Sequence, residues 1–139
     1  MRQEFHTLKI NTNGQKLYEF TKKTLEWIEK LNLKNGILNL SILHTSASII
    51  VQENADPDVK KDLLNYFDKL VPMKNELYIH TSEGKDDMPA HIKSSLTNNQ
   101  ISLSIQNSNL LLGTWQGLYL FEHRLEKHTR KIIHHYVGD

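Results

Sequence analysis

The final third of the chain limits the fold most tightly. From Ile101 onward it reads "ISLSIQ", "SNLLLG", "TWQGLYLFEHR" and "RKIIHHYV". One alternating or apolar stretch follows another, with no helical period between them. A doubly wound sheet needs a helix between consecutive parallel strands, so this pattern argues against that architecture. It predicts an α+β fold built on a mixed or antiparallel sheet.

The first hundred residues supply the helices. "EFHTLKI" alternates and predicts a strand over residues 3–10. Leu17, Phe20, Thr24, Ile28 and Leu31 recur at three- and four-residue steps, which predicts a helix over 14–32 that Asn35-Gly36 stops. Leu38, Leu40 and Ile42 share one face of a strand, and "ASIIVQ" continues it. Asp56 as N-cap and Pro57 at the first helical position open a second helix, with Val59, Leu63, Phe67 and Leu70 as its buried stripe. "ELYIHTS" reads as a short strand and "EGKDD" as a polar loop. "MPAHIKSSL" reads as a short helix with Ile92 and Leu96 stacked. The sum is about six or seven strands, two main helices and one short helix. At 139 residues this is a single compact domain, 1–139.

Composition narrows the function classes. Seventeen basic residues against sixteen acidic ones leave a net charge of +1, too little field for nucleic acid or an anionic membrane. Cysteine is absent, so there is no thiolate nucleophile, and a metal must be held by nitrogen and oxygen. No apolar run approaches the ~18 residues of a membrane span, and the N-terminus lacks a signal-peptide core, so a cytoplasmic protein is expected.

Eight histidines draw attention by their placement. His44 lies on the apolar face two residues beyond Ile42. His123 ends the face carrying Trp115, Tyr119 and Phe121, and His91 falls in the first turn of the short helix. Imidazoles bind first-row metals, but no local signature such as HExxH is present. Each ring could equally be a hydrogen-bonded structural residue. His80 ends a strand in the same way and stays undecided, and His6, His128, His134 and His135 receive no role. Asp56 and Asp58 are explained by the start of the second helix, and Asp86 and Asp87 could cap the short helix. Glu53 and Asn54 have no such local explanation. Glu122 and Arg124 share a strand face. Lys93, Ser94 and Ser95 form either a solvated helix face or an anion site. Gly113 and Gly117 flank Thr114, Trp115 and Gln116, where a ligand or backbone could approach closely.

Four blocks, "LHTSAS", "ENADPDV", "DDMPAHIKSSL" and "GTWQGLYLFEHR", together resemble the YjbQ-type family, also described as secondary thiamine-phosphate synthases. The likeness runs in order over almost the whole chain. It implies an α+β fold, a homotrimer with sites between subunits, and a metal held by His44, His91 and His123. It also implies the joining of a hydroxymethylpyrimidine diphosphate to a thiazole phosphate with release of pyrophosphate. The family often has cysteine before the Glu-His-Arg of the last block. Phe121 stands there in this chain, so any shared chemistry cannot use that thiol.

Three functions follow as expectations. The first is the thiamine-phosphate transferase. In it Arg124, Lys93 and a divalent ion neutralise the diphosphate, Glu53 or Asp87 holds magnesium, and Ser94, Ser95, Thr114 and Gln116 add substrate contacts. The second is a metal-dependent hydrolase of a small phosphorylated metabolite, with zinc on the histidines and Glu53 or Glu122 as general base. The third is a metal- or ligand-binding protein without turnover. Asn54 and Asp87 complete the expected catalytic set. Zinc suits the histidine site, whereas magnesium prefers oxygen ligands and a diphosphate.

Overall fold

The computed structural model describes residues Met1–Asp139. In chain order the elements are β1 (Arg2–Asn13), β2 (Lys16–Glu19), α1 (Thr21–Lys30), β3 (Gly36–Ile42), β4 (Ala47–Glu53) and α2 (Pro57–Leu70). There follow α3 (Asp87–Leu96), β5 (Gln100–Gln106), β6 (Asn109–Leu110), β7 (Gln116–Glu122) and β8 (Lys127–Gly138). Every strand pairing is antiparallel. One sheet runs β1-β8-β3-β5-β6 and the other β2-β7-β4. The α+β reading therefore holds, with two antiparallel sheets.

The three-stranded sheet is buried on both faces. Leu118 and Leu120 of β7, with Ala47 and Ile49 of β4, join Leu38, Leu40, Ile132 and Tyr136 of the larger sheet in one core. Phe20, Trp27 and Ile28 close that core at α1. The opposite face carries Leu17, Tyr119 and Phe121, against which Leu63, Leu64 and Phe67 of α2 pack. Burial on both faces explains why "GLYLFE" is a continuous buried run while β8 alternates.

The helix expected over 14–32 begins only at Thr21. Leu17 and Phe20 are buried as expected, but Leu17 belongs to β2, opposite Phe121. Gly14, at φ 91°, turns the chain from β1 into that strand. Backbone pairing with β7 thus overrides a helical period that the side chains also satisfy. "ELYIHTS" forms no strand. A 3₁₀ turn at Asn75–Leu77 overlaps its first two residues, and Ile79 is fully exposed. No sheet edge is paired with it, so its alternation has no core to face. "SNLLLG" contributes only the two residues of β6, after a turn in which Asn107 and Ser108 have φ of 51° and 63°.

Asp56 caps α2 as read, its carboxylate accepting from Asp58 N at 2.9 Å, with Pro57 in the first turn. The stripe of α2 is shallower than expected, since Leu70 remains exposed. In α3 the stacked pair also fails, because Leu96 is exposed. The buried positions are instead Asp87, Pro89, Ala90 and Lys93. A helix that buries an aspartate and a lysine is committed to polar partners, and those partners lead to the site.

Candidate metal centre

Three segments meet beyond the end of β7: the turn from β3 to β4, the loop before α3, and the turn from β7 to β8. Asp87, 2 % exposed, lies at their junction. Its Oδ2 stands 2.7 Å from His80 Nε2 and 3.1 Å from His91 Nε2, and the three ligand atoms lie within 4.8 Å of one another. Its Oδ1 accepts from Arg124 Nη1 at 2.7 Å. Arg124 also donates from Nε to Asp86 Oδ2 at 2.8 Å and from Nη2 to the Glu83 carbonyl at 3.0 Å. Burial opposes ionisation of Asp87. The hydrogen bond to His80 and the charge of Arg124 outweigh it and hold the carboxyl below its usual range.

The protonation pattern of His91 matters most. Its Nδ1 lies 2.9 Å from the Thr45 carbonyl, an acceptor that fixes the ring proton on Nδ1. In the neutral ring Nε2 then presents a lone pair to the carboxylate oxygen of Asp87. The 3.1 Å contact is met in either of two ways, by an imidazolium that donates Nε2–H to Oδ2 or by a neutral ring whose lone pair and Oδ2 share a metal ion. A second ring nitrogen bonded to a backbone carbonyl is the usual outer support of a metal-bound histidine. The donor set of two imidazoles and one carboxylate suits zinc or a neighbouring first-row ion. His80 and His91 are partly exposed, so the outer side of the cluster is open to solvent.

The ligand set implied by the resemblance is not assembled within the chain. His91 belongs to the cluster, but His44 and His123 do not. His44 Nε2 accepts the Lys131 backbone N–H at 2.9 Å, extending the β3–β8 ladder past Ile42. His123 is buried, with Nε2 2.9 Å from Ser48 Oγ and Nδ1 without a partner. Burial, with Lys93 and Arg130 nearby, pushes its pKa down to about 3.

The other expected site residues divide between two places. Glu53 pairs with Gln116 and Ala47 with Glu122, so Glu53, Asn54, Thr114 and Gln116 gather at the far end of the three-stranded sheet. Six residues at ~3.3 Å each put them ~20 Å from the cluster. There the Gln116 side chain accepts from Gly113 N at 2.6 Å, and Asn54 N donates to the Trp115 carbonyl. Glu122 lies near the cluster but is wholly buried between the sheets against Arg130, where it has no access to a reacting water. Lys93 is buried and bonded to Asp68, Ser94 donates to the Ala47 carbonyl, and Ser95 donates to the His91 carbonyl. Those three groups are spent on structure and do not form an anion nest. Arg124, expected as a phosphate clamp, has its fork filled by Asp86, Asp87 and Glu83.

Residues 6–139 match the family described as UPF0047 protein YjbQ-like. The chain belongs to that family. A UPF0047 protein of Synechocystis is 46 % identical over 138 residues, covering 99 % of this chain and 94 % of the relative. The YjbQ protein of Escherichia coli O157:H7 is 38 % identical over 128 residues, covering 91 % and 92 %. Among solved structures, a YjbQ/UPF0047 family protein from Clostridium acetobutylicum superposes with a TM-score of 0.83 at 31 % identity, covering 96 % and 99 %. A YbjQ-like protein from Sulfolobus solfataricus gives 0.86 at 19 % identity over 99 % and 100 %, a likeness of fold.

In this YjbQ-like chain the sequence signal for the cluster was the spacing Asp87-x₃-His91. On a helix that spacing stacks a carboxylate and an imidazole on one face. His80 arrives from a segment with no regular structure, so no periodicity could place it. Thr45 acts through its backbone carbonyl, which no side-chain pattern reveals.

Proposed function

We propose that the protein is a divalent-metal-dependent enzyme acting on a small phosphorylated metabolite, with the ion held by His80, Asp87 and His91. One observation carries this reading: ligand atoms of His80, Asp87 and His91 converge within 4.8 Å of one another, with the other ring nitrogen of His91 held by the Thr45 carbonyl as in a metal-bound histidine. A divalent ion bound there would supply Lewis-acid polarisation of a phosphoryl or carbonyl oxygen. The chain's own residues then have plain tasks. Arg124 and Asp86 keep Asp87 ionised and fixed. The partly exposed rings of His80 and His91 leave the outer side free for a metabolite.

Hydrolysis is the preferred reaction class. The thiamine-phosphate synthase reading is second, because it needs cationic side chains for a departing diphosphate. Arg124 and Lys93 are each engaged with carboxylates. A cytoplasmic homotrimer completes the proposal. The outer face of the larger sheet, where Phe5 and Ile37 are exposed, would supply contact area between subunits.

Elemental analysis of the purified protein tests the centre. About one equivalent of zinc is expected per chain for a single filled site. His80→Ala and His91→Ala should lose the ion, and His44→Ala should keep it. Retention by both of the first two would overturn the reading. With the ion restored, release of inorganic phosphate from phosphate esters supports hydrolysis, and pyrophosphate release from the two thiamine precursors supports the transferase. Retention of the ion with no turnover leaves a binding protein. Light scattering showing a monomer at micromolar concentration would remove the trimer.

A further inference from the structure

The geometry points to Arg124 as a positioning residue that presents a single oxygen of Asp87 to the metal. The inference rests on the proposed metal centre and concerns how its carboxylate is held. Asp87 has two oxygens with different neighbours. Oδ1 is held by Arg124 Nη1 at 2.7 Å, and Oδ2 alone faces His80 and His91. A carboxylate with both oxygens free can swing or chelate through both, which changes the number of positions left for substrate. With one oxygen bonded to a guanidinium, it offers the other as a monodentate ligand.

The guanidinium is itself held rigidly. Its Nε donates to Asp86 Oδ2, its Nη2 donates to the Glu83 carbonyl, and its side chain is mostly buried. Leu125 N donates to the same Asp86 oxygen at 2.9 Å, and Arg124 N donates to Glu122 Oε2 at 3.2 Å. The β7–β8 turn is therefore fastened to the start of α3 just after the arginine and to the end of β7 at the arginine itself. Lysine could supply the charge but not three donors in one plane, so the planar fork is the necessary feature. This replaces the phosphate-binding role expected for Arg124.

The test compares wild type, Arg124→Lys and Arg124→Gln by zinc titration, and by the visible spectrum of the cobalt(II)-loaded proteins. Both variants should bind zinc about 10- to 100-fold more weakly, the usual effect of removing an outer partner of a metal ligand. Their cobalt band should also change in position and intensity, because a released carboxylate alters coordination number. In a third variant, Arg124→Ala, added guanidinium ion should restore the wild-type spectrum, which a general loosening of the fold would not allow. If Arg124→Gln fails to fold, Arg124→Lys decides the matter. Unchanged zinc affinity with an unchanged cobalt spectrum would overturn the role of Arg124 while leaving the centre intact. If the wild type itself binds neither zinc nor cobalt, the metal-centre reading fails, and this inference fails with it.

Discussion

Arg130 grips Glu122 through two hydrogen bonds, Nε to Oε1 at 2.7 Å and Nη2 to Oε2 at 2.6 Å, in the space between the two sheets. Neither side chain has meaningful contact with solvent. Thr12 donates to Oε1 at 2.6 Å, the backbone amides of His123 and Arg124 donate to Oε2, and Arg130 reaches on to Ser46. One ion pair therefore ties β1, the β3–β4 turn and the β7–β8 turn together, next to the turns that carry Thr45 and Arg124 to the His80–Asp87–His91 cluster. The β3–β4 turn contains Thr45, whose carbonyl orients His91.

Removing one partner should be severe. Glu122→Gln leaves the Arg130 guanidinium buried without a counter-charge, and the expected loss is about 3–5 kcal/mol. Urea unfolding of the variant against wild type measures it. A loss under about 1 kcal/mol would mean that water reaches the pair. The apolar double substitution Glu122→Leu with Arg130→Met should recover most of the stability but not metal affinity, because the turns would no longer be pinned.

Acid should destabilise the protein in a window set by two buried histidines. Burial pushes His123 down to about 3 and His134 down to about 4, from 6.5 for a free ring. Below pH 6.5 the unfolded chain takes up protons that the folded chain refuses, so stability falls as pH falls. Each histidine contributes a slope of up to ~1.4 kcal/mol per pH unit until its folded pKa is reached. Glu122, Asp86 and Asp87, all held below the usual carboxylate range, add a loss of the same sign at lower pH. Denaturant midpoints between pH 7 and 4 test this, and His134→Phe should remove about half of the slope above pH 4.5. An unchanged slope in that variant would assign the effect to other groups.

The edge of what the sequence could reveal is visible at particular residues. Asp56 was legible because a helix cap is a local event. Leu17 and Phe20 were legible as core residues, but not as a strand residue and the N-cap of the following helix, because period and pairing compete over so short a stretch. The histidines were legible as unusual. Which of them converge within the chain depends on a loop that lacks periodicity, so His80 stayed undecided, and His44 and His123 lie outside the cluster that His80 and His91 form with Asp87. Glu53 and Glu122 were alternative candidates for a general base, and the β4–β7 register puts them at opposite ends of one sheet.

In the sequence, Gly36 follows Asn35 as a helix stop. It lies at the start of β3 against the end of β8, where an added Cβ would run into the Val137 carbonyl and come within 2.8 Å of the Tyr136 ring and the Gly138 Cα. Backbone cannot yield as a flexible side chain can. Gly36→Ala should destabilise by at least the ~1–3 kcal/mol typical of overpacking. A thermal midpoint equal to wild type would show that the strand ends can separate without cost.

Lys93 separates a structural lysine from a ligand-binding one. It is 2 % exposed, and its ammonium donates to Asp68 Oδ1 at 2.5 Å, joining α3 to α2. Asp68 itself is nearly half exposed, so water shares the carboxylate end of the pair. Removing the acid should hurt more than removing the base. Asp68→Ala leaves a buried ammonium uncompensated and should cost about 3 kcal/mol, somewhat less if water enters to solvate it. Lys93→Met keeps the length and packing of the side chain, frees an aspartate that water already reaches, and should lie within ~1 kcal/mol of wild type. Urea unfolding ranks the two variants. Phosphate titration of Lys93→Met provides the complementary measurement. If the lysine serves only the α2–α3 contact, phosphate affinity stays at the wild-type value. A tenfold loss of phosphate binding with stability intact would instead return Lys93 to the ligand site and require that Asp68 release it when an anion binds.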